Sequence, residues 1–125
     1  MFPSPHAFCM PDAAEKLGSL GVVRQRAQAI CSLAQEICTG QLDLRPGVDV
    51  EQAAKRLLAI SGIGDWTVQY MLMRALDYPD AFPAADYGVK SAFPGMKEKA
   101  LRELSLNWSP WRSYAVMSLW CTPHE

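Results

Sequence analysis

The stretch Leu57-Leu58-Ala59-Ile60-Ser61-Gly62-Ile63-Gly64-Asp65-Trp66-Thr67 reads as the end of one helix, a tight glycine turn and the start of a second helix. This is a helix-hairpin-helix pattern over residues 50–76. Gly62 and Gly64 give the turn backbone freedom, and Ile63 is placed to plug the two helices together. The first amides of a helix have no partner within it. With the helix dipole behind them they suit an anion such as a phosphate. Carbonyls near the turn offer a place for a monovalent cation that bridges to the same phosphate. A Gly-x-Gly between helices is also compatible with an ordinary tight turn.

Reading outward, Asp86 lies 22 residues after Gly64, in the stretch Phe82-Pro83-Ala84-Ala85-Asp86-Tyr87-Gly88-Val89-Lys90. An aspartate there caps a short helix, and a cap and a catalytic carboxylate are compatible roles, because a helix N-terminus favours the ionised form. A phosphate-gripping turn followed by a lone carboxylate points to chemistry on DNA. Aromatics gather nearby: Trp66 and Tyr70 share a face of the second hairpin helix, Tyr87 follows Asp86, and Trp108, Trp111, Tyr114 and Trp120 crowd the C-terminal part. Large aromatics at helical spacing commonly form core. Together they also offer flat faces for a base, and a desolvated cationic base over such faces gains on the order of 2 kcal/mol.

The chain has 125 residues, half of them apolar, enough for one domain with a real core. Its formal charge of −1 runs against the basic surplus of most nucleic-acid binders. Backbone amides, a helix dipole and a bound cation need few lysines, and they imply a shallow salt dependence. Cys9, Cys31, Cys38 and Cys121 are too scattered for knuckle spacing and read as small core residues. Cys31 and Cys38 share a helix but supply only two thiolates, so no iron-sulfur or zinc site is expected. His6 and His124 lie near the ends, far from the motif, and no Ser/His/Asp set or phosphate loop is present. No apolar run approaches a bilayer span and the start lacks a secretion signal, so a cytoplasmic, nucleoid-associated chain is expected.

The pattern of caps and breakers predicts only helices. Asp12 caps Ala13–Leu20; Val23 to Thr39 carries the stripe Ala27, Ile30, Ala34 and Ile37; Asp49 caps Val50–Ile60 with Gln52 as capping-box partner. Trp66–Leu76 follows the turn, Asp77 to Pro83 is a loop, Asp86 starts a short helix, and Met96–Leu106 and Pro110–Trp120 complete the set. The expected fold is an all-α helical bundle forming a single domain over 1–125.

The hairpin and downstream aspartate resemble the helix-hairpin-helix DNA glycosylases (HhH-GPD superfamily), and within them the bacterial DNA-3-methyladenine glycosylase II family. Trp66-Thr67-x-x-Tyr70, Phe82-Pro83-x-x-Asp86-Tyr87, Phe93-Pro94-Gly95-Met96 and Trp108-x-Pro110-Trp111-Arg112-Ser113-Tyr114-Ala115 match it in order, from about Phe2 to Trp120. The resemblance implies a base-excision repair glycosylase that flips alkylated purines such as 3-methyladenine out of duplex DNA and hydrolyses the sugar bond. By it, Asp86 is the catalytic carboxylate and Trp66, Tyr70, Tyr87 and Trp120 shape the base pocket. Gly62, Gly64 and Thr67 give amides to a phosphate, and carbonyls of Leu58, Ile60 and Ile63 hold Na+ or K+. No cofactor is required. Relatives that also cut the strand carry a Schiff-base lysine where this chain has Trp66, which implies a monofunctional enzyme.

Departures are Val68 for the usual alanine, Cys121 where relatives have an aromatic, and no counterpart of the family's N-terminal α/β domain, leading helices and wedge residue. The chain therefore reads as a C-terminal piece, its remainder supplied separately or its exposed edge covered by self-association. A non-catalytic hairpin module that binds DNA, an inactive fragment of such an enzyme that binds phosphate but cannot flip a base, or a helical interaction domain, stays open.

Overall fold

A computed structural model of the chain describes residues 3–122. Phe2 and His124, named above, lie outside them. Every regular element among the described residues is helical, as expected. None is long and apolar enough to cross a membrane. The residues fall into two compact units that meet in sequence between Gly64 and Asp65.

The first unit holds a short 3-10 helix, Pro5–Cys9, then α1 (Ala13–Ser19), α2 (Arg24–Cys38) and α3 (Val50–Leu58). Helix α2 starts one residue later than predicted because Val23 is already extended and serves as the N-cap. Its stripe is narrower than expected. Ala27 and Ala34 are buried, whereas Ile30 and Ile37 are half-buried, and the 3-10 helix and α1 both pack on α2. At α3 the Asp49 carboxylate accepts from the Gln52 amide at 3.2 Å, so the cap forms through the backbone. The helix ends at Leu58 rather than Ile60, as the amides of Ile60 and Ile63 turn back to the carbonyls of Leu57 and Ile60.

The cysteines are not core residues. Cys9, Cys31 and Cys38 are half-buried and Cys121 is exposed. The unforeseen 3-10 helix sets Cys9 against the C-terminal end of α2, 3.2 Å from the Cys38 sulfur.

The second unit comprises α4 (Asp65–Arg74), α5 (Tyr87–Ala92), α6 (Glu98–Ser105), a 3-10 turn Leu106–Trp108 and α7 (Arg112–Cys121). Val68, Leu72, Val89, Leu101 and Val116 form its centre. Helix α4 stops at Arg74, two residues short of the predicted end, where the chain bends through Asp77 at φ 51°.

The loop that leads to Asp86 is tied to α7. Arg112 grips Asp80 through Nε at 2.8 Å and a terminal nitrogen at 3.1 Å, and the Ser109 hydroxyl donates to the same carboxylate. The buried Ser113 hydroxyl donates to the Tyr78 carbonyl at 2.6 Å and accepts from the Ala81 amide at 2.9 Å. Ser113→Ala leaves that buried amide without its acceptor, at a cost of about 1–3 kcal/mol. Urea unfolding is expected to show the loss as a lower midpoint at unchanged slope.

Candidate active site

Asp86 is the N-cap of α5, at φ −66° and ψ 135°, and its side chain turns back over the helix start so that Oδ2 accepts from the Val89 amide at 3.1 Å. The approach to it is fixed from upstream, where the buried stretch Ala81-Phe82-Pro83-Ala84 is held by the Ser113 hydroxyl and by Gln69, whose side-chain oxygen accepts from the Phe82 amide at 3.1 Å. Asp86 itself is only 8% exposed.

Two indoles complete the surround. Trp66, in the first turn of α4, donates Nε1–H to Asp86 Oδ1 at 2.9 Å, and Trp120, near the end of α7, donates Nε1–H to Oδ2 at 2.7 Å. Burial pushes this carboxyl up. The indole N–H donors of Trp120 and Trp66 and the amides of Val89 and Gly88 outweigh burial and hold it below the ordinary aspartate value. The result is an anion kept charged inside an aromatic wall.

That wall is continuous. Tyr70 lies one turn beyond Trp66 and stacks on it, with centroids 5.2 Å apart and planes 18° from parallel; Trp120 follows at 6.1 Å from Tyr70. Arg74 extends over the outer rings, 5.9 Å from the Tyr70 centroid and 6.0 Å from that of Trp120. Arg102 ties the start of α4 to α6 by pairing with both Asp65 and Glu98.

The structure thus brings Asp86, Trp66, Tyr70 and Trp120 together. It does not bring Tyr87 to them, which is 86% exposed and has no ring contact among the described residues. Adjacent residues at a helix start point in different directions, and Asp86 takes the inward one. Trp108 packs between Phe82 and Phe93, and Trp111 pairs with Tyr114 at the surface, so these three belong to other clusters.

Gly88 was missed by the sequence reading. A Cβ there would lie 2.7 Å from Trp120 Cδ1 and 3.1 Å from Asp86 Oδ2. Its bare backbone is what lets the indole reach the carboxylate. Only its place two residues after the aspartate hinted at this.

In the first unit, the turn has Gly62 at φ 94°, where a Cβ would also meet Ala29 Cβ at 3.2 Å. Gly64 is not left-handed and open space surrounds its missing Cβ. The two glycines therefore differ. Gly62→Ala is expected to cost about 1–3 kcal/mol from backbone strain, and Gly64→Ala to stay within about 0.5 kcal/mol, both read from urea unfolding. Leu58 is exposed, Ile60 buried and Ile63 half-buried. The Ile60 carbonyl accepts from the Ile63 amide at 3.1 Å and keeps a second lone pair. Neutral carbonyl oxygens are a donor set that fits a hard cation. No cluster of three or more His, Cys, Asp or Glu among the described residues is arranged around a metal. Thr67 is half-buried in the first turn of α4.

Acid stability follows from the carboxylates. The Arg112 guanidinium, first among its partners, holds Asp80 below the ordinary value, and Asp86 is depressed as well. A depressed folded value stabilises above the unfolded value, about 3.9 for aspartate, and that contribution is lost as pH falls through the folded value. Stability is therefore expected to persist as pH falls towards about 4 and to collapse below it, with Asp80→Asn removing part of that acid dependence in urea titrations.

Known proteins align with this chain almost end to end. It is 39% identical to DNA-3-methyladenine glycosylase 2 of Escherichia coli K12 over 121 residues, 97% of this chain and 43% of the relative. It is 39% identical over 109 residues to the "Probable bifunctional transcriptional activator/DNA repair enzyme AlkA" of Mycobacterium tuberculosis, 84% of this chain and 22% of the relative. It is 32% identical over 113 residues to DNA-3-methyladenine glycosylase of Bacillus subtilis, 83% of this chain and 37% of the relative. The chain spans less than half the length of each of these relatives. No family model matches it. On these alignments and its helical fold the chain is similar, over most of its own length, to part of DNA-3-methyladenine glycosylases of the glycosylase II type, which is consistent with the helix-hairpin-helix glycosylase superfamily.

Proposed function

We propose that the chain carries the active site of a monofunctional DNA glycosylase for alkylated purines, with Asp86 as its catalytic carboxylate. The observation that carries this reading is the Asp86 anion, held charged by two indole donors beside a stack of aromatic rings. Alkylating a purine ring nitrogen makes the base cationic and its sugar bond weak, so departure needs no general acid. What requires stabilisation is the oxocarbenium-like sugar, and a fixed anion in a dry site does this. A cation is attracted by the field and needs no free lone pair. The hydrogen bonds that Asp86 already accepts are therefore compatible with the role.

A carboxyl held below its ordinary value is a weak base. Asp86 acts by charge, and by orienting the incoming water, more than by proton abstraction. Trp66, 40% exposed, is the open side of the site and the face for the flipped base, with Tyr70 and Trp120 behind it and Tyr87 available at the rim. Flipping costs a few kcal/mol and less for a damaged pair. Amides of Gly62, Gly64 and Thr67 contact the DNA backbone, and carbonyls of Leu58, Ile60 and Ile63 hold a monovalent cation that neutralises phosphate charge there. With Trp66 where a Schiff-base lysine would stand, strand cleavage is not part of the reaction.

The test is release of free 3-methyladenine and formation of alkali-labile abasic sites from methylated duplex DNA, comparing the chain with Asp86→Asn. The small exposure of Asp86 favours a second reading, a duplex-binding module in which Asp86 is only a cap. Equal, negligible release by both proteins, with duplex binding retained, selects that reading.

A further inference from the structure

We propose that Cys9 and Cys38 are an oxidation site that reacts with a hydroperoxide and closes a disulfide between the first 3-10 helix and α2. Cys9 ends the 3-10 helix and Cys38 ends α2, two elements packed against each other. Their sulfurs are 3.2 Å apart. A disulfide needs about 2.05 Å, so the gap closes with little more than rotation of the side chains. His6, exposed on the same 3-10 helix, places Nδ1 3.5 Å from the Cys38 sulfur. Half-burial leaves both thiols open to a small oxidant while shielding them from large ones. Cys31 and Cys121 form no disulfide either, and the sulfur–sulfur hydrogen bond joins Cys9 and Cys38.

The arrangement assigns roles. The Cys9 sulfur beside it, with burial second, holds the Cys38 thiol above its ordinary value, so forming the thiolate requires a base at its side. The Nδ1 of His6, 3.5 Å away, accepts the Cys38 proton. The thiolate attacks one oxygen of hydrogen peroxide, the O–O bond breaks, and the departing hydroxide leaves as water with the proton from His6. Cys38 is then a sulfenic acid. The Cys9 thiol attacks that sulfur, the S–O bond breaks, and a second water departs with the Cys9 proton. Two thiols and one peroxide thus become one disulfide and two waters.

The test treats the whole reduced chain with hydrogen peroxide and maps its peptides by mass spectrometry. The expected product is a Cys9–Cys38 linked peptide pair, lighter by two hydrogens and restored by dithiothreitol, with titratable thiols falling from four to the pair Cys31 and Cys121. Cys9→Ser is expected to stop at a dimedone-reactive sulfenic acid on Cys38, and Cys38→Ser to give neither product. His6→Asn is expected to slow closure severalfold. Four thiols surviving in the wild-type chain, or a disulfide that maps to other cysteines or joins two chains, overturns the site. A dimedone adduct elsewhere than Cys38 in Cys9→Ser, or an unchanged rate in His6→Asn, overturns the roles assigned to those residues.

Discussion

Asp86→Asn is expected to lower release of alkylated purines from duplex DNA by about 10²–10³-fold, the loss that follows removal of one preorganised electrostatic partner of a transition-state charge. Duplex binding should be equal or tighter, because an anion is removed from the side facing DNA. The substitution is also structural. Asn is the same size but offers one acceptor oxygen where the carboxylate offers two, so its amide NH2 faces one of the indole N–H donors now at 2.9 and 2.7 Å. That mismatch costs about 1–3 kcal/mol of stability. Asp49→Ala supplies the matched comparison, since losing the N-cap of α3 costs about 0.5–2 kcal/mol and Asp49 is bonded to the Gln52 amide, not to the stretch that leads to Asp86. If Asp49→Ala loses as much activity as Asp86→Asn at equal fraction folded, the charge is not the cause and the catalytic assignment fails.

The same carboxylate shows how far the sequence could be read. An aspartate before a short helical pattern, downstream of a glycine turn, announces a helix cap, and the structure has Asp86 capping α5. Trp66 and Tyr70 were legible as one face because helical spacing alone stacks them. Tyr87 was a different case. Being next to Asp86 in sequence says nothing about direction, and at a helix start the chain sends the aspartate inward and the tyrosine to solvent. The Asp80–Arg112 grip and the Ser113 hydroxyl join residues about thirty positions apart, and no local pattern reveals such a pair. The 3-10 helix Pro5–Cys9 escaped the sequence for the opposite reason: Pro3 and Pro5 are local helix breakers, and this segment packs on α2.

Gly88 is the residue whose role only the folded chain reveals, and Gly88→Ala is expected to reverse a general rule. Inside a helix, alanine is more favourable than glycine by up to about 1 kcal/mol. In α5 the added methyl would sit 2.7 Å from Trp120 Cδ1 and 3.1 Å from both Trp120 Nε1 and Asp86 Oδ2. Neither neighbour is the free end of a flexible chain, since the indole is rigid and the carboxylate is held by four donors. Overpacking of this kind costs about 1–3 kcal/mol. Displacing the indole also weakens the hydrogen bond to a charged acceptor, a further 1.5–3 kcal/mol or so. Destabilisation therefore wins, and base release is expected to fall about 10²-fold as the wall shifts by an ångström. The decisive comparison is a double-mutant cycle. In a Trp120→Ala background the methyl meets no indole and only its 3.1 Å approach to Asp86 Oδ2 opposes the helix-propensity gain of up to about 1 kcal/mol, so Gly88→Ala should lose most of its cost. A gain of that size in the wild-type background, with base release intact, would mean that Trp120 does not occupy the position that holds Asp86 charged.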